Sequence, residues 1–82
     1  MTNKEKYDAI FMETFEIGIE DLSLGLEYQS IAAWDSVGHM SLIAALEDEF
    51  DINLEMDDVI DFGSYVTGIN TLARYGVKLD VH

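Results

Sequence analysis

The stretch from Trp34 to Phe50 restricts the fold more than any other part of this chain, because it carries a marked helix start and an apolar pattern with two faces. Asp35 is suited to the N-cap, where a short carboxylate accepts from the unpaired N–H groups of the first turn. At about 100° per residue, Leu42, Ile43, Leu46 and Phe50 fall together on one side of the helix, with His39 among them. That side is the expected core stripe. Val37, Met40 and Ala44 fall on another side, flanked by Ser36, Ser41, Glu47, Asp48 and Asp51. A helix in a small domain buries one such side fully and not easily both. The second strip therefore either packs under a loop or is read by a partner, with adaptable Met40 in the middle and carboxylates steering a basic surface.

The remaining segments fit around this helix as an all-α fold, a small four-helix bundle with three main helices, one short helix and a long first loop. Thr2 and Glu5 spell a capping box, and Tyr7, Ile10, Phe11, Thr14 and Phe15 recur at helical spacing. That helix is expected to end near Ile17 or Gly18, with the glycine as its C-terminal cap. Between Gly18 and Trp34 no period holds. A connection of this length needs its own anchors, and Leu22, Leu24, Leu26, Tyr28, Ile31 and Trp34 supply them. Residues 51–54 break the pattern, and Asp57 to Phe62 predicts a short helix with Asp57 and Asp58 near its start. Ser64 caps a last helix through about Tyr75, with Val66, Ile69, Leu72 and Ala73 as the inner face and Gly76 closing it.

Composition narrows the partners. The 82 residues make one domain, 1–82, and 17 acidic residues against 4 basic ones give a net charge of −13. Nucleic acid and anionic membranes are poor partners for such a surface, because binding them relies on basic side chains. A basic protein patch complements it, and simple solubility also accounts for it. No Cys is present, so there is no disulfide framework, thiolate nucleophile or thiolate metal site. No apolar targeting segment follows the N-terminus, and the longest apolar run, Leu42 to Leu46, is far short of a membrane span. A cytoplasmic protein is expected.

Chemistry centres on Ser36. With Asp35 as the cap, Ser36 takes the first helical position and its hydroxyl is expected to be free. A phosphate ester there would face unpaired backbone N–H groups and the positive end of the helix dipole. Asp35, Ser36 and His39 also spell a Ser-His-Asp set. The local string Ala33-Trp34-Asp35-Ser36-Val37 lacks the nucleophile-elbow glycines, though, and one helical turn is poor geometry for base catalysis. No enzyme is expected. No metal site is expected either. A calcium loop begun at Asp51 has Met56 at the sharp-turn glycine and Phe62 at the bidentate glutamate. His39 and His82 lack metal-ligand spacing, and no Walker or Rossmann glycine pattern occurs.

Asp35-Ser36-Val37 followed by Leu42-Ile43-Ala44-Ala45-Leu46-Glu47-Asp48-Glu49-Phe50 resembles the D-S-L … L-E-x-x-F signature of acyl carrier proteins. The likeness continues through Ile52, the short acidic helix near Asp57 and the last helix around Val66 and Ile69, and so spans nearly the whole chain. The resemblance implies that a phosphopantetheinyl transferase attaches 4'-phosphopantetheine from coenzyme A to Ser36, beside the Asp35 cap. The arm's thiol would carry an acyl group as a thioester. It further implies a monomer without chemistry of its own, serving an acyl-loading ligase and acyltransferase or synthase enzymes with basic docking patches. By position, Val37, Met40, Ala44, Glu47 and Asp48 would form the docking face. Acyl chains would tuck between the helices, in space set by Phe11, Phe15, Leu46, Ile60, Ile69 and Leu72.

Some positions depart from that family. Gly38 and Ser41 stand where bacterial fatty-acid carriers usually carry acids, which leaves acids mainly at the far end of the helix. Trp34 before Asp35, with His39 and Met40 after, looks more like stand-alone carriers of a specialised biosynthetic pathway. The G-G-[HD]-S string of peptidyl carriers is missing, although an aminoacyl or peptidyl carrier stays open, as does an unmodified acidic interaction module.

Overall fold

The computed structural model describes residues 2–22 and 25–79. Ser23, the expected anchor Leu24, and His82 lie outside the described residues. Among those described there are four α-helices: α1 over Asn3–Phe15, α2 over Ser36–Phe50, α3 over Met56–Asp61 and α4 over Tyr65–Arg74. The all-α bundle with one short helix is the architecture found. Among the described residues, no helix is long and apolar enough to cross a membrane.

Helix α1 starts as a capping box. Thr2 Oγ1 accepts from the Glu5 N–H at 3.1 Å, and the Glu5 carboxylate accepts from the Thr2 N–H at 2.9 Å. Tyr7, Ile10, Phe11 and Phe15 are its buried face. The helix stops earlier than the glycine predicts. Glu16, not Gly18, takes the left-handed conformation at φ 55°, and the Ile17 N–H bonds back to the Met12 carbonyl at 3.1 Å. Helix α2 ends the same way, with Asp51 at φ 54° and the Ile52 N–H on the Glu47 carbonyl at 3.1 Å. In both, the residue after the turn is a partly buried isoleucine packed on the core. Burial of that isoleucine sets where the chain turns, and it overrides the preference for glycine.

The core is an aromatic cluster centred on Phe11. Its ring lies 4.8 Å from Tyr7, 5.5 Å from Trp34 and 5.4 Å from Tyr65, centroid to centroid. Such spacings suit tilted and edge-to-face packing. Trp34 is fully buried and stacks on Phe15 at 5.1 Å, so it anchors the long loop as the sequence predicts. From α2, Leu42, Ile43 and Leu46 enter the core, while His39 and Phe50 are half-buried at its edge.

The inner face of α4 is rotated from the expected one. Tyr65, Gly68, Thr71 and Leu72 are buried, Val66 and Ile69 are half-buried, and Ala73 is exposed. The cause is close approach at Gly68. A Cβ there would lie 2.3 Å from both the Phe62 ring and the Tyr7 hydroxyl. The helix therefore presses its backbone onto the Phe62 and Tyr7 side chains, and Thr71 is tolerated inside because its hydroxyl donates to the Thr67 carbonyl at 2.9 Å. Beneath the same contact Tyr7 donates to the Tyr65 carbonyl at 2.7 Å, and burial pushes its phenol far above the ordinary tyrosine range.

The long loop is less irregular than its composition predicts. It opens with a 3₁₀ turn over Ile19–Asp21. Residues around Glu27 then pair antiparallel with those around Ser64. The Tyr28 N–H donates to the Gly63 carbonyl at 2.8 Å, and the Tyr65 N–H donates to the Leu26 carbonyl at 2.9 Å. Within this pairing Leu26 is buried and Tyr28 is exposed. The loop is thereby tied to the junction between α3 and α4.

Candidate functional site

Asp35 has extended backbone angles, and its carboxylate accepts from the Gly38 N–H at 2.8 Å. It is the N-cap of α2, and Ser36 is the first helical residue. The hydroxyl of Ser36 is exposed but not free, contrary to the sequence reading. It is hydrogen-bonded to the Tyr28 hydroxyl at 3.0 Å. The pairing of residues 26–28 with 63–65 brings Tyr28 there, a long-range event that no local pattern announces.

Gly38 has a packing cause. A Cβ at this position would lie 2.0 Å from the Ala33 carbonyl oxygen and 3.3 Å from the Phe15 ring. The first turn of α2 is thus pressed against the loop and α1, and no acidic side chain fits there. Its departure from the carrier pattern follows from close packing at this point.

His39 does not face Ser36. Its Nδ1 accepts from the Trp34 indole N–H at 3.0 Å, and its Nε2 bonds the Val59 carbonyl at 2.8 Å. An indole nitrogen only donates, so Nδ1 is the acceptor and the ring proton sits on Nε2. Val59 lies in the last turn of α3, and the Gly63 N–H that would bond its carbonyl in a longer helix bonds Asp61 instead. His39 therefore caps a six-residue helix from the side. The Ser-His-Asp alignment of the sequence has no counterpart in space, because both ring nitrogens are committed elsewhere.

Beside Ser36 opens a pocket of about 340 Å³. One wall is Tyr28, Ser36, His39 and Met40; the other is Met56, Val59, Ile60 and Phe62, from α3 and the residue after it. Its volume lies at the lower end of the range for small-ligand pockets, and its lining is mostly apolar. Of the six residues expected to set the internal space, only Ile60 lines it. Phe11, Phe15, Leu46 and Leu72 are packed in the core, and Ile69 is half-buried away from the pocket.

The second face of α2 is open. Val37 is 76% exposed and Met40 56%, while Ala44 and Asp48 also face solvent. The alternative that this strip packs under the loop is overturned. Glu47 differs from its neighbours. It is half-buried, and its carboxylate accepts from the Leu54 N–H at 2.8 Å, which braces the turn after α2. Across the pocket, Met56 at 71% and Ile60 at 69% extend the apolar rim, with exposed Asp57 and Asp61 beside them. The sequence reading placed Ile60 at the acyl-chain space but not on this exposed rim, and did not include Met56. Their spacing of four residues in the segment Met56 to Asp61 was the available signal.

Helix α3 is held from its other side by Asp58. Its carboxylate accepts from the Tyr75 hydroxyl and, at 2.7 Å, from the Arg74 guanidinium. The tyrosine hydroxyl bond, followed by the Arg74 contacts and against some desolvation, holds the Asp58 carboxyl below the usual carboxylate range. Three of the four basic residues are paired with acids: Lys4 with Asp8, Lys6 with Glu49, and Arg74 with Asp58.

No model of a known protein family matches this chain, and no curated protein is significantly similar to it.

Proposed function

We propose that this chain is an acyl carrier that bears 4'-phosphopantetheine on Ser36 and presents the tethered acyl group to partner enzymes in the cytoplasm. One observation carries the reading. The Ser36 hydroxyl is exposed at the start of α2, opens onto an apolar pocket, and has a phenol rather than a base as its hydrogen-bond partner. A serine so placed suits an attachment point better than a nucleophile for turnover.

Attachment requires Ser36 Oγ to replace the nucleotide part of coenzyme A at phosphorus. The Oγ–P bond forms, the P–O bond to 3',5'-adenosine diphosphate breaks, and the transferase takes the serine proton. Asp35 holds the first turn of α2 in place by its bond to the Gly38 N–H, and the positive end of that helix would favour a phosphate attached to Ser36. When bound, the arm supplies a thiol for thioester linkage, a group that a chain without cysteine lacks. Met40, Met56 and Ile60 line the space next to it, and exposed Asp35, Asp48, Asp57 and Asp61 favour partners with basic surfaces.

Co-expression with a broad-specificity phosphopantetheinyl transferase should add the mass of one phosphopantetheinyl group to the intact protein and none to Ser36→Ala. An unchanged mass of the unsubstituted protein under those conditions would falsify the reading. The exposure of Val37 and Met56 favours a second reading, an unmodified acidic module that docks through the same apolar rim. It predicts partner binding that is indifferent to Ser36→Ala and weakened by salt.

A further inference from the structure

We infer that Tyr28 is a positioning residue for the group carried on Ser36: its phenol donates to the attached phosphate, and its ring turns the arm toward the pocket between α2 and α3. The inference rests on the carrier reading of Ser36. It starts from the 3.0 Å contact between the two hydroxyls, in which either oxygen can be the donor. Once Ser36 Oγ is an ester oxygen it has no proton to give, and only Tyr28 can donate. The non-bridging phosphate oxygens are bonded to the phosphorus next to Oγ. They are charged and accept far better than the ester oxygen. The phenol that contacts Oγ in the unmodified chain is within reach of them.

Tyr28 is held for this task by contacts that do not involve Ser36. Its backbone N–H is fixed to the Gly63 carbonyl at 2.8 Å, and the adjacent Glu27 pairs with Ser64. Its ring stands edge-on to His39 at 5.6 Å, and His39 is itself fixed by Trp34 and Val59. The same ring lines the pocket beside Ser36. One side chain thus touches both the attachment atom and the space next to it, and does so from a loop pinned across the fold.

The test uses the full chain loaded by a transferase and coenzyme A, with intact mass confirming one group per molecule. Because the chain has no cysteine, the arm's thiol is the sole thiol in the molecule and its reactivity reports the arm's position. Tyr28→Phe keeps the ring against His39 and removes only the hydroxyl. It should load, melt as the unmodified parent does, shift the phosphorus resonance of the loaded protein, and raise the rate of reaction with an aromatic disulfide reagent several-fold. Tyr28→Ala should raise that rate further.

Full loading with the same phosphorus resonance and thiol rate in all three proteins would overturn the inference and leave the carrier reading standing. No mass gain in the unsubstituted chain would remove both. Should Tyr28→Phe fail to fold, the unsubstituted loaded protein decides alone. A phosphorus resonance that is the same in the folded and the urea-unfolded protein would overturn the inference.

Discussion

Trp34 donates its buried indole N–H to His39 Nδ1 at 3.0 Å, and that single bond fixes the imidazole so that Nε2 reaches the Val59 carbonyl at 2.8 Å. The loop, the start of α2 and the last turn of α3 are joined through one ring. Their rings also pack together, with Trp34 and His39 nearly parallel at 6.3 Å and Phe62 edge-on to His39 at 6.2 Å.

His39→Leu fills similar space but leaves the Trp34 N–H buried and unsatisfied and the Val59 carbonyl without its donor. A loss of about 1–3 kcal/mol is expected for one such buried group. Urea unfolding should show a lower midpoint at unchanged slope, and amide exchange should quicken first in α3. Unchanged stability would mean that the ring contacts, not the hydrogen bonds, join these elements.

Gly38→Ala separates two opposed effects. Helix propensity alone favours alanine by about 1 kcal/mol. The added Cβ would stand 2.0 Å from the Ala33 carbonyl oxygen, and overpacking of this kind costs about 1–3 kcal/mol or more. We expect a net loss of stability in thermal melting. A rise in the melting temperature would show that the loop before α2 yields easily.

Glu16→Gly has the opposite expected sign. Glu16 sits at φ 55° at the C-terminus of α1, where a side chain costs roughly 1–2 kcal/mol, against which glycine's greater freedom in the unfolded chain takes back part. A gain of up to about 1 kcal/mol should raise the melting temperature by about 4–8 °C per kcal/mol in a domain of this size. Asp51 holds the same conformation at φ 54°, and Asp51→Gly should gain less, since aspartate tolerates it better.

Acid should loosen α3. The Asp58 carboxyl is held below its ordinary value by the Tyr75 hydroxyl first and by Arg74 after it. A group depressed on folding contributes stability above its unfolded pKa and loses it as pH falls through the folded one. Acidification also relieves the self-repulsion of a −13 chain, which works the other way over the whole molecule. The comparison with Tyr75→Phe isolates the local effect. Below the ordinary carboxylate range, the Phe62 amide, which donates to the Asp58 carbonyl, should lose protection relative to its intrinsic exchange rate in the parent chain. The variant should show raised exchange at neutral pH and less further change on acidification.

Much of the site was legible because it is local. Asp35 as cap, Ser36 as first helical residue and the grouping of Val37, Met40 and Ala44 on one strip follow from positions within one helix, whereas the exposure of that strip came from the tertiary structure. A cap needs only the next three residues, and a helical face needs only the period. The end of α2 at Phe50 was legible too, and the end of α1 was harder. The left-handed residue was chosen by burial of Ile17 and Ile52, so Glu16 and Asp51 took a role that composition assigns to glycine.

The sequence by itself determined the helices, their order and the serine at the start of α2, because capping and periodicity act over a few residues. Only the tertiary structure decided that Tyr28 is hydrogen-bonded to Ser36, that His39 braces α3 instead of serving the serine, that Gly38 is a contact, and that the pocket opens between α2 and α3. Each of these joins residues from separate segments. They depend on how the loop around Glu27 pairs with Ser64, and no spacing along the chain encodes that pairing.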